Sequence, residues 1–285
     1  EGLIPLGPGR FESESELRTW VITQFSQAGK TWDAKHPFVD GTLASGHRFH
    51  VTFPPLSPRG ILVSLRRLSN PPLNPFESNL RTHRWKNSPL YPHLARAIRD
   101  GQNILISGAT GSGKTTLAND LLEEVPPTER MIALEDTPEL HPRHPHFISL
   151  VSRPPNADGF GEVTLSTLLK QTLRMRPDRI ILGECRGKEV YELLQSLNTG
   201  HRGSLATLHA NSPREALRRI ELLCLLAQPG AIPVPVIREL LALGIQWIAQ
   251  VKKIGAERKI VELCQLQGRE GDTLLLRPVV ECETQ

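Results

Sequence analysis

A single short segment constrains this chain more than any other. Residues 108–116 read GATGSGKTT, which matches the pattern G-x-x-x-x-G-K-[ST], between an apolar run at 103–107 and a helical pattern at 117–124. Glycines let the backbone curl so that successive N–H groups point at phosphate oxygens, and the following helix adds its positive end. In such a loop Lys114 contacts the β- and γ-phosphates and Thr115 offers its hydroxyl to Mg²⁺. The predicted nucleotide-binding residues of this loop are Gly108, Ala109, Thr110, Gly111, Ser112, Gly113, Lys114, Thr115 and Thr116.

The chain around this loop alternates apolar runs with helical patterns. Strands are predicted at 103–107, 131–134, 147–151, 179–182 and 204–207, and helices at 117–124, 165–174, 189–197 and 213–226. This alternation is typical of an α/β domain with a parallel sheet and crossover helices. Residues 232–250 predict at least one further helix, and 259–267 with 273–280 predict a terminal hairpin.

The N-terminal part has a different pattern. A capping box at Ser13 and Glu16 precedes a predicted helix at about 14–28, and alternating apolar residues predict strands at 37–43, 47–53 and 61–68. Together they predict a small α+β unit, an antiparallel sheet with a helix on one face. A proline-rich stretch then predicts a linker. The expected domains are residues 1–70, a linker at 71–92, and residues 93–285, and a chain of 285 residues has room for two domains.

Acidic residues follow two of the apolar runs of the α/β part. Glu135 comes directly after residues 131–134, and Glu184 follows residues 180–183. Because ligands of open α/β sheets collect at the carboxyl ends of strands, both carboxylates are expected to face the nucleotide. Hydrolysis of a triphosphate needs carboxylates that hold metal-bound water and orient the attacking water. Asp136 and Glu139 lie close to Glu135 in sequence and compete with it for this role.

Histidines and arginines supply the remaining candidates. His201 falls in a predicted turn and His209 just past a predicted strand, where a histidine can sense the γ-phosphate; a capping or core histidine is the alternative. A guanidinium neutralises charge on γ-phosphate oxygens. Arg48, Arg66 and Arg67 lie on or beside the N-terminal strands, and strand alternation puts Arg66 and Arg67 on opposite faces. Further arginines flank Glu184, namely Arg174, Arg176, Arg179 and Arg186.

Composition excludes several other classes of protein. Lysine and arginine total 34 against 30 acidic residues, a net charge of +4 without a basic stripe, which argues against a nucleic-acid motor and a direct nucleic-acid partner. No apolar run is long enough for a transmembrane span. Cys185, Cys224, Cys264 and Cys282 form no C-x-x-C pair, which argues against a zinc or disulfide framework and favours the reducing cytoplasm.

The motifs, taken in order, resemble a known family. Residues 108–116, 133–136, 176–184 and 200–211 occur in the order of the Walker A, Asp box, Walker B and His box of the type II/type IV secretion ATPases. Within that superfamily, residues 153–156, 174–179 and 207–217 most resemble the CpaF-like ATPases of the Tad/Flp pilus branch. A conjugative type IV secretion ATPase, which shares the four boxes, is the alternative, and a RecA-like nucleic-acid motor is less favoured.

The resemblance implies a fold, an assembly and residue roles. It implies a RecA-like P-loop ATPase domain with a parallel-rich sheet, preceded by a smaller α+β, PAS-like domain. It also implies a homo-hexamer that hydrolyses ATP with Mg²⁺ at the cytoplasmic face of the inner membrane, where it binds a platform protein and drives pilus assembly or retraction. The implied catalytic residues are Glu135, Glu184, His209, Arg66 and Arg67, with Thr115 and Glu184 at Mg²⁺ and Arg48 and His201 at the nucleotide.

Overall fold

The chain divides into two compact units. The structure is a computed structural model that describes residues 11–28, 30, 38–43, 45, 47–66, 85–156 and 159–279. The first unit comprises Glu1–Leu73 with Pro155–Glu162, and the second comprises Asn74–Pro154 with Val163–Gln285. The division therefore falls inside the stretch predicted as a linker. Residues 67–84, which include Arg67 and most of that stretch, lie outside the described residues.

The first unit contains the predicted helix and three strands. Helix α1 (Glu14–Gln27) begins at Ser13, whose hydroxyl accepts a hydrogen bond from the Glu16 amide at 3.2 Å. Strands β1 (Phe38–Thr42), β2 (Arg48–Thr52) and β3 (Leu62–Arg66) form an antiparallel sheet in the order β1-β2-β3. The unit has its own small core, formed by Val21 and Phe25 of α1 with Val39, Phe49, Val51 and Phe53.

The second unit is an α/β domain built on eight strands among the described residues. In chain order its elements are α2 (Tyr91–Arg99), β4 (Ile104–Gly108), α3 (Lys114–Leu122), β5 (Met131–Glu135), β6 (Phe147–Val151), α4 (Leu165–Thr172), β7 (Arg179–Cys185), α5 (Glu189–Asn198), β8 (Leu205–Leu208), α6 (Pro213–Ala227), α7 (Val234–Gly244), β9 (Trp247–Ile254), β10 (Glu257–Glu270) and β11 (Thr273–Pro278). The strand order is β11-β10-β9-β4-β8-β7-β5-β6. Strands β9 to β6 are mutually parallel, and β10 and β11 add an antiparallel edge.

Helices cover both faces of this sheet. On one face α2 and α3 bury Leu94, Ile98, Leu117 and Leu121 against the central strands. On the other face the core is formed by α4, α5, α6 and α7. Every residue of β4 and β5 is buried, as expected for parallel strands covered on both sides. The predicted α/β fold with a mostly parallel sheet is therefore confirmed.

Two elements differ from the sequence-based prediction. Residues 247–250 were expected to continue a helix but begin strand β9, whose first half is almost continuously buried beside β4. A short, mostly apolar run has no period that separates a buried strand from a buried helix. The predicted linker also ends too late, because Trp85, Leu90 and Tyr91 are buried in the domain core and Pro92 occupies the first turn of α2. Proline suits that position because the first helical N–H groups have no partner inside the helix.

None of the described helices combines sufficient length with sufficient apolar character to cross a bilayer.

Candidate functional site

The glycine-rich segment forms a tight loop between β4 and α3. Lys114, the first residue of α3, lies with its amino group folded back over the loop, where Nζ donates to the carbonyls of Gly108 at 2.9 Å and Ala109 at 3.1 Å. Gly113 precedes the helix with a φ of 99°, a left-handed conformation that favours glycine. The loop therefore directs the N-terminal end of α3 and a buried ammonium group toward the same concave backbone surface, which is the geometry of an anion site.

His209 joins this loop to the acidic end of β7. It follows β8, which lies between β4 and β7 in the parallel sheet, so all three strands end at the same edge. Its Nδ1 is 3.4 Å from Nζ of Lys114, and its Nε2 is 2.6 Å from Oε1 of Glu184. Burial and the positive charge of Lys114 lower the pKa of His209, although Glu184 opposes them. The imidazole is thus placed between the phosphate loop and the Glu184 carboxylate.

Glu184 is also held by Arg186. The Arg186 guanidinium donates to Oε2 of Glu184, and its Nη1 lies 3.8 Å from Oδ2 of Asp136 on the neighbouring strand end. This hydrogen bond to Glu184 raises the pKa of Arg186. Of the arginines predicted to flank Glu184, Arg186 therefore lies directly at the site.

Glu135 orders the loop that follows β5. Its side chain is buried; Oε1 accepts from the amides of Glu139 at 2.8 Å and Leu140 at 2.9 Å, and Oε2 accepts from the Ser149 hydroxyl at 2.8 Å. Burial raises the pKa of Glu135, and the three hydrogen bonds oppose this effect. The bond to the Glu139 amide fixes the backbone of that residue beside the phosphate loop. Oε2 of Glu139 accepts from the Thr115 hydroxyl at 3.3 Å. Among the acidic residues after β5, Glu139 is the one in contact with the phosphate loop.

The oxygen ligands at this edge suit a Mg²⁺ ion that is shared with phosphates. Thr115 offers a hydroxyl in contact with the Glu139 carboxylate, and the Glu184 carboxylate lies at the same edge in contact with His209. Mg²⁺ in nucleotide sites uses one or two protein oxygens plus phosphates and waters. Within the described residues no group of three or more His, Cys, Asp or Glu side chains is arranged to hold a metal by itself. The residues present therefore fit a magnesium ion brought in with a nucleotide.

Gln250 is a buried residue of this edge that sequence analysis missed. Its side-chain oxygen accepts from the Ser107 hydroxyl, and its Nε2 donates to the carbonyl of Ala210 at 3.1 Å. Ser107 immediately precedes the phosphate loop, and Ala210 immediately follows His209. The side chain of Gln250 therefore connects the end of β4 to the histidine loop. Because this residue lies in the strand that was predicted as helix, no local pattern marked it.

The structure places His201 away from the phosphate loop of the same chain. It lies in the turn before β8, at the amino edge of the sheet, where Nδ1 is 3.2 Å from the carbonyl of Ser196. Arg179 begins β7 at that same edge and is buried in contact with Glu129. The parallel register thus separates both residues from Lys114 by the length of a strand. A nucleotide contact by His201 or Arg179 within one chain is not supported by this placement.

The candidate arginines of the first unit fall partly within the described residues. Arg48 and Arg66 are directly opposite each other in the β2–β3 register. Residues opposite each other share a face of a sheet, and the neighbouring Phe49 points to the other face, which packs on α1. Arg48 and Arg66 therefore lie together on the face that does not pack on α1. Arg67 lies outside the described residues.

Comparison with known proteins identifies the family. The model of the family described as "Type II/IV secretion system protein" matches residues 10–277. The chain is 38% identical over 273 residues to a Mycobacterium tuberculosis protein provisionally named as a conjugal transfer protein, covering 92% of this chain and 75% of that protein. It is 34% identical over 240 residues to the conjugal transfer protein TrbB of Rhizobium radiobacter, covering 83% of this chain and 70% of TrbB.

Solved structures agree with this assignment. The VirB11 ATPase of the Brucella suis type IV secretion system, crystallised with sulphate, matches with a TM-score of 0.56 and 29% identity, covering 88% of this chain and 80% of VirB11. The pilus retraction motor PilT with bound ADP shares the fold, with a TM-score of 0.60 and 21% identity over 95% of this chain and 71% of PilT. The relatives named for conjugal transfer fit the conjugative alternative better than the Tad pilus hypothesis. The chain belongs to the type II/IV secretion system protein family and is one of its ATPases.

Proposed function

We propose that this chain is the ATPase motor of a conjugative type IV secretion machine. The observation that carries the proposal is the contact series from Lys114 through His209 to Glu184, which connects a phosphate loop to the acid of a neighbouring strand. Similarity to TrbB and VirB11 supports the conjugative assignment over other motors. We propose that it works as a homo-hexamer at the cytoplasmic face of the inner membrane, bound to a membrane protein of the machine.

The proposed site residues act on ATP as follows. The loop amides and Lys114 bind the β- and γ-phosphates. Mg²⁺, held by Thr115 and Glu184 when bound, would neutralise charge on the phosphate oxygens. Glu139 orients the attacking water and accepts its proton, while Glu135 keeps the Glu139 backbone in position through its two amide contacts. This assignment transfers the catalytic role first given to Glu135 to the competing residue Glu139.

His209 is proposed to report on the γ-phosphate. It contacts both Lys114 and Glu184, so loss of the γ-phosphate changes the charge that its two neighbours experience. Gln250 connects the backbone just after His209 to β4 and keeps the histidine in register with the loop.

We also propose that the first unit supplies a phosphate-contacting arginine, in cis or to a neighbouring subunit. Arg48 and Arg66 share one face of its sheet, and two cationic side chains on one face attract an anion. We propose that this unit, a three-stranded antiparallel sheet with one helix, is a PAS-like domain.

A Tad-type pilus motor is the second candidate. The stretches at 153–156, 174–179 and 207–217 favour it. The two candidates use the same ATPase chemistry and differ in the machine that they drive. The distinguishing experiment is therefore a cellular one.

The test is complementation of a deletion strain of the source organism. The intact gene and a Lys114→Ala variant are expressed in that strain, and plasmid transfer frequency and surface pili are both counted. The proposal predicts that deletion abolishes transfer, that the intact gene restores it, and that the variant does not. Unchanged transfer with loss of pili would contradict the conjugative assignment and support the pilus motor.

A biochemical test separates Glu139 from Glu135. Glu139→Gln should retain ATP binding and lose turnover by about a hundredfold or more, because the general base is removed while the fold is kept. Glu135→Gln retains one acceptor oxygen and should lose less turnover, with a larger loss of thermal stability. Phosphate release and ATP affinity are measured for both variants. A larger loss of turnover in Glu135→Gln at equal stability would return the catalytic role to Glu135.

A further inference from the structure

The hairpin formed by β9 and β10 reaches the phosphate loop from the far end of the sequence. Strand β9 runs parallel to β4 with Val251 beside Gly108, the first residue of the loop. Strand β9 continues past that point, and β10 returns beside it with Arg258 opposite Lys253. The tip of the hairpin, residues 252–259, therefore extends along the loop rather than along β4.

Arg258 makes direct contact with the loop. Its Nε donates to the carbonyl of Gly111 at 3.1 Å. A Cβ added to Gly113 would lie 2.7 Å from Cδ of Arg258 and 2.9 Å from the buried ring of Trp85. Only a glycine therefore fits between these two side chains. The Arg258 side chain therefore packs against Gly113, which directly precedes α3.

Most of the hydrogen-bonding capacity of Arg258 is not used by the part of the chain that the structure describes. A guanidinium has five N–H donors, and only the Nε donor bonds a described residue. The side chain is exposed to solvent, although its stem lies on the loop. Bonding the Gly111 carbonyl uses one donor of the guanidinium. The four remaining donors are suited to hydrogen bonds with an anion.

The charges of the hairpin tip also favour a bound anion. Arg258 faces Lys253 across the strands, and Lys259 faces Lys252, so two like-charged pairs are directly opposite. Such pairs destabilise a sheet unless an anion compensates them. Successive residues alternate between faces, so Lys253 shares the Arg258 face while Lys252 shares the other. On that other face Lys259 is neutralised by Glu257 at 2.9 Å.

We propose that Arg258, assisted by Lys253, is a nucleotide-binding residue that contacts the phosphates held by the loop. The proposal rests on the ATPase function proposed above and adds a cation supplied in cis by the C-terminal hairpin. Three groups would then contact the phosphates, namely the loop amides, the Lys114 ammonium and the Arg258 guanidinium. The hairpin then senses nucleotide directly, because its tip carries a ligand of the phosphates.

The experiment compares Arg258→Gln with Lys252→Gln, a matched control on the same hairpin but on the opposite face. Affinities for ATP and ADP with Mg²⁺ are measured by calorimetry at 50 mM and 300 mM salt. Losing charge-assisted hydrogen bonds should weaken both nucleotides about tenfold in Arg258→Gln, and Lys252→Gln should leave them unchanged. Lys253→Gln should show a smaller loss. Arg258→Lys should recover part of the affinity because it keeps the charge.

The salt dependence separates a ligand from a structural brace. A lost phosphate contact reduces the decline of affinity with salt, whereas a lost contact to a neutral carbonyl does not change it. Melting temperatures of all variants report any change of fold. Equal affinities in Arg258→Gln and Lys252→Gln, or an unchanged salt dependence, would overturn this proposal. Failure of the parent chain to bind ATP at all would instead overturn the proposed function.

Discussion

The two edges of the large sheet carry the same types of residue and use them differently. At the amino edge, Arg179 is buried and bonds Glu129 at 2.5 Å as well as the carbonyls of Ile98 and Gly203. At the carboxyl edge, Arg186 is half exposed and shared between Glu184 and Asp136. The first arginine is enclosed by partners, while the second belongs to a charge network open to solvent.

The histidines repeat this contrast. His201 at the amino edge contacts a backbone carbonyl, whereas His209 at the carboxyl edge contacts an ammonium and a carboxylate. The difference arises from parallel topology, because strand ends leave one edge lined by loops that follow strands and the other by loops that precede them. Position relative to strand direction, rather than residue type, therefore decides which of these groups lie beside the phosphate loop.

The largest effect on stability is expected for Arg179→Leu. It removes a buried cation from Glu129 and from two backbone carbonyls, which should cost roughly 3–5 kcal/mol of folding free energy. The ATP affinity of the folded fraction should not change, because the residue lies at the edge away from the phosphate loop. Chemical denaturation and calorimetry check the two statements. A variant that is as stable as the parent but binds ATP more weakly would contradict the different roles assigned to the two edges.

A smaller, pH-dependent effect is expected for Asp120→Asn on α3. Asp120 is buried, neither carboxylate oxygen has a hydrogen-bond partner, and burial with nearby Glu123 and Glu124 raises its pKa to about 8 against the opposing charge of Lys86. Because Asp120 releases its proton near pH 4 in the unfolded chain but only near pH 8 in the folded protein, the folded protein loses stability as pH rises between these two values.

The amide has no proton to lose, so the stabilisation gained by Asp120→Asn should grow between pH 5 and pH 8. Melting temperatures of the parent and the variant across this range measure it. A gain that is constant with pH would show that Asp120 does not titrate in this interval. Tyr91, whose hydroxyl donates to the Asp120 carbonyl at 3.2 Å, is unchanged in both proteins and serves as the internal reference for local structure.

The smallest effect is expected for His201→Asn. The residue makes one side-chain contact to a backbone carbonyl, so stability should change by about 0.5 kcal/mol or less and ATP turnover should remain at the parent level. His209→Asn is the matched variant at the other edge and should lower turnover strongly, because asparagine is too short to reach both Lys114 and Glu184. Steady-state phosphate release compares the pair. Greater loss in His201→Asn would reverse the roles assigned to the two edges.

Local patterns predicted the fold and part of the site. The phosphate loop, the strand-end acids and the α/β alternation depend on short-range spacing, which sequence displays directly. Strand β9 was missed because its buried first half, residues 247–251, is mostly apolar and shows no clear period of two. His201 was assigned because it falls in a predicted turn of the same motif as His209, but strand β8 separates the two residues and places them at opposite edges of the sheet.

Gln250 and Arg258, the residues that the sequence did not mark, reach this edge through contacts between distant parts of the chain. Gln250 bonds Ser107 from 143 residues away, and Arg258 bonds Gly111 from 147 residues away. Neither lies in a motif, and an exposed arginine in a hairpin is ordinarily a solvated residue. The proposed choice of Glu139 over Glu135 likewise depends on the amides of Glu139 and Leu140, which occupy the Glu135 carboxylate, and the sequence alone does not show this contact.

The central claim is that the carboxyl edge, organised around Lys114, binds and hydrolyses ATP. Phosphate release from ATP with Mg²⁺ by the purified chain and by Lys114→Ala tests it most directly, with the melting temperature of each protein as a control for folding. The account predicts sustained release by the parent chain and none above background by a folded Lys114→Ala variant. Equal rates of release from the two proteins would contradict it.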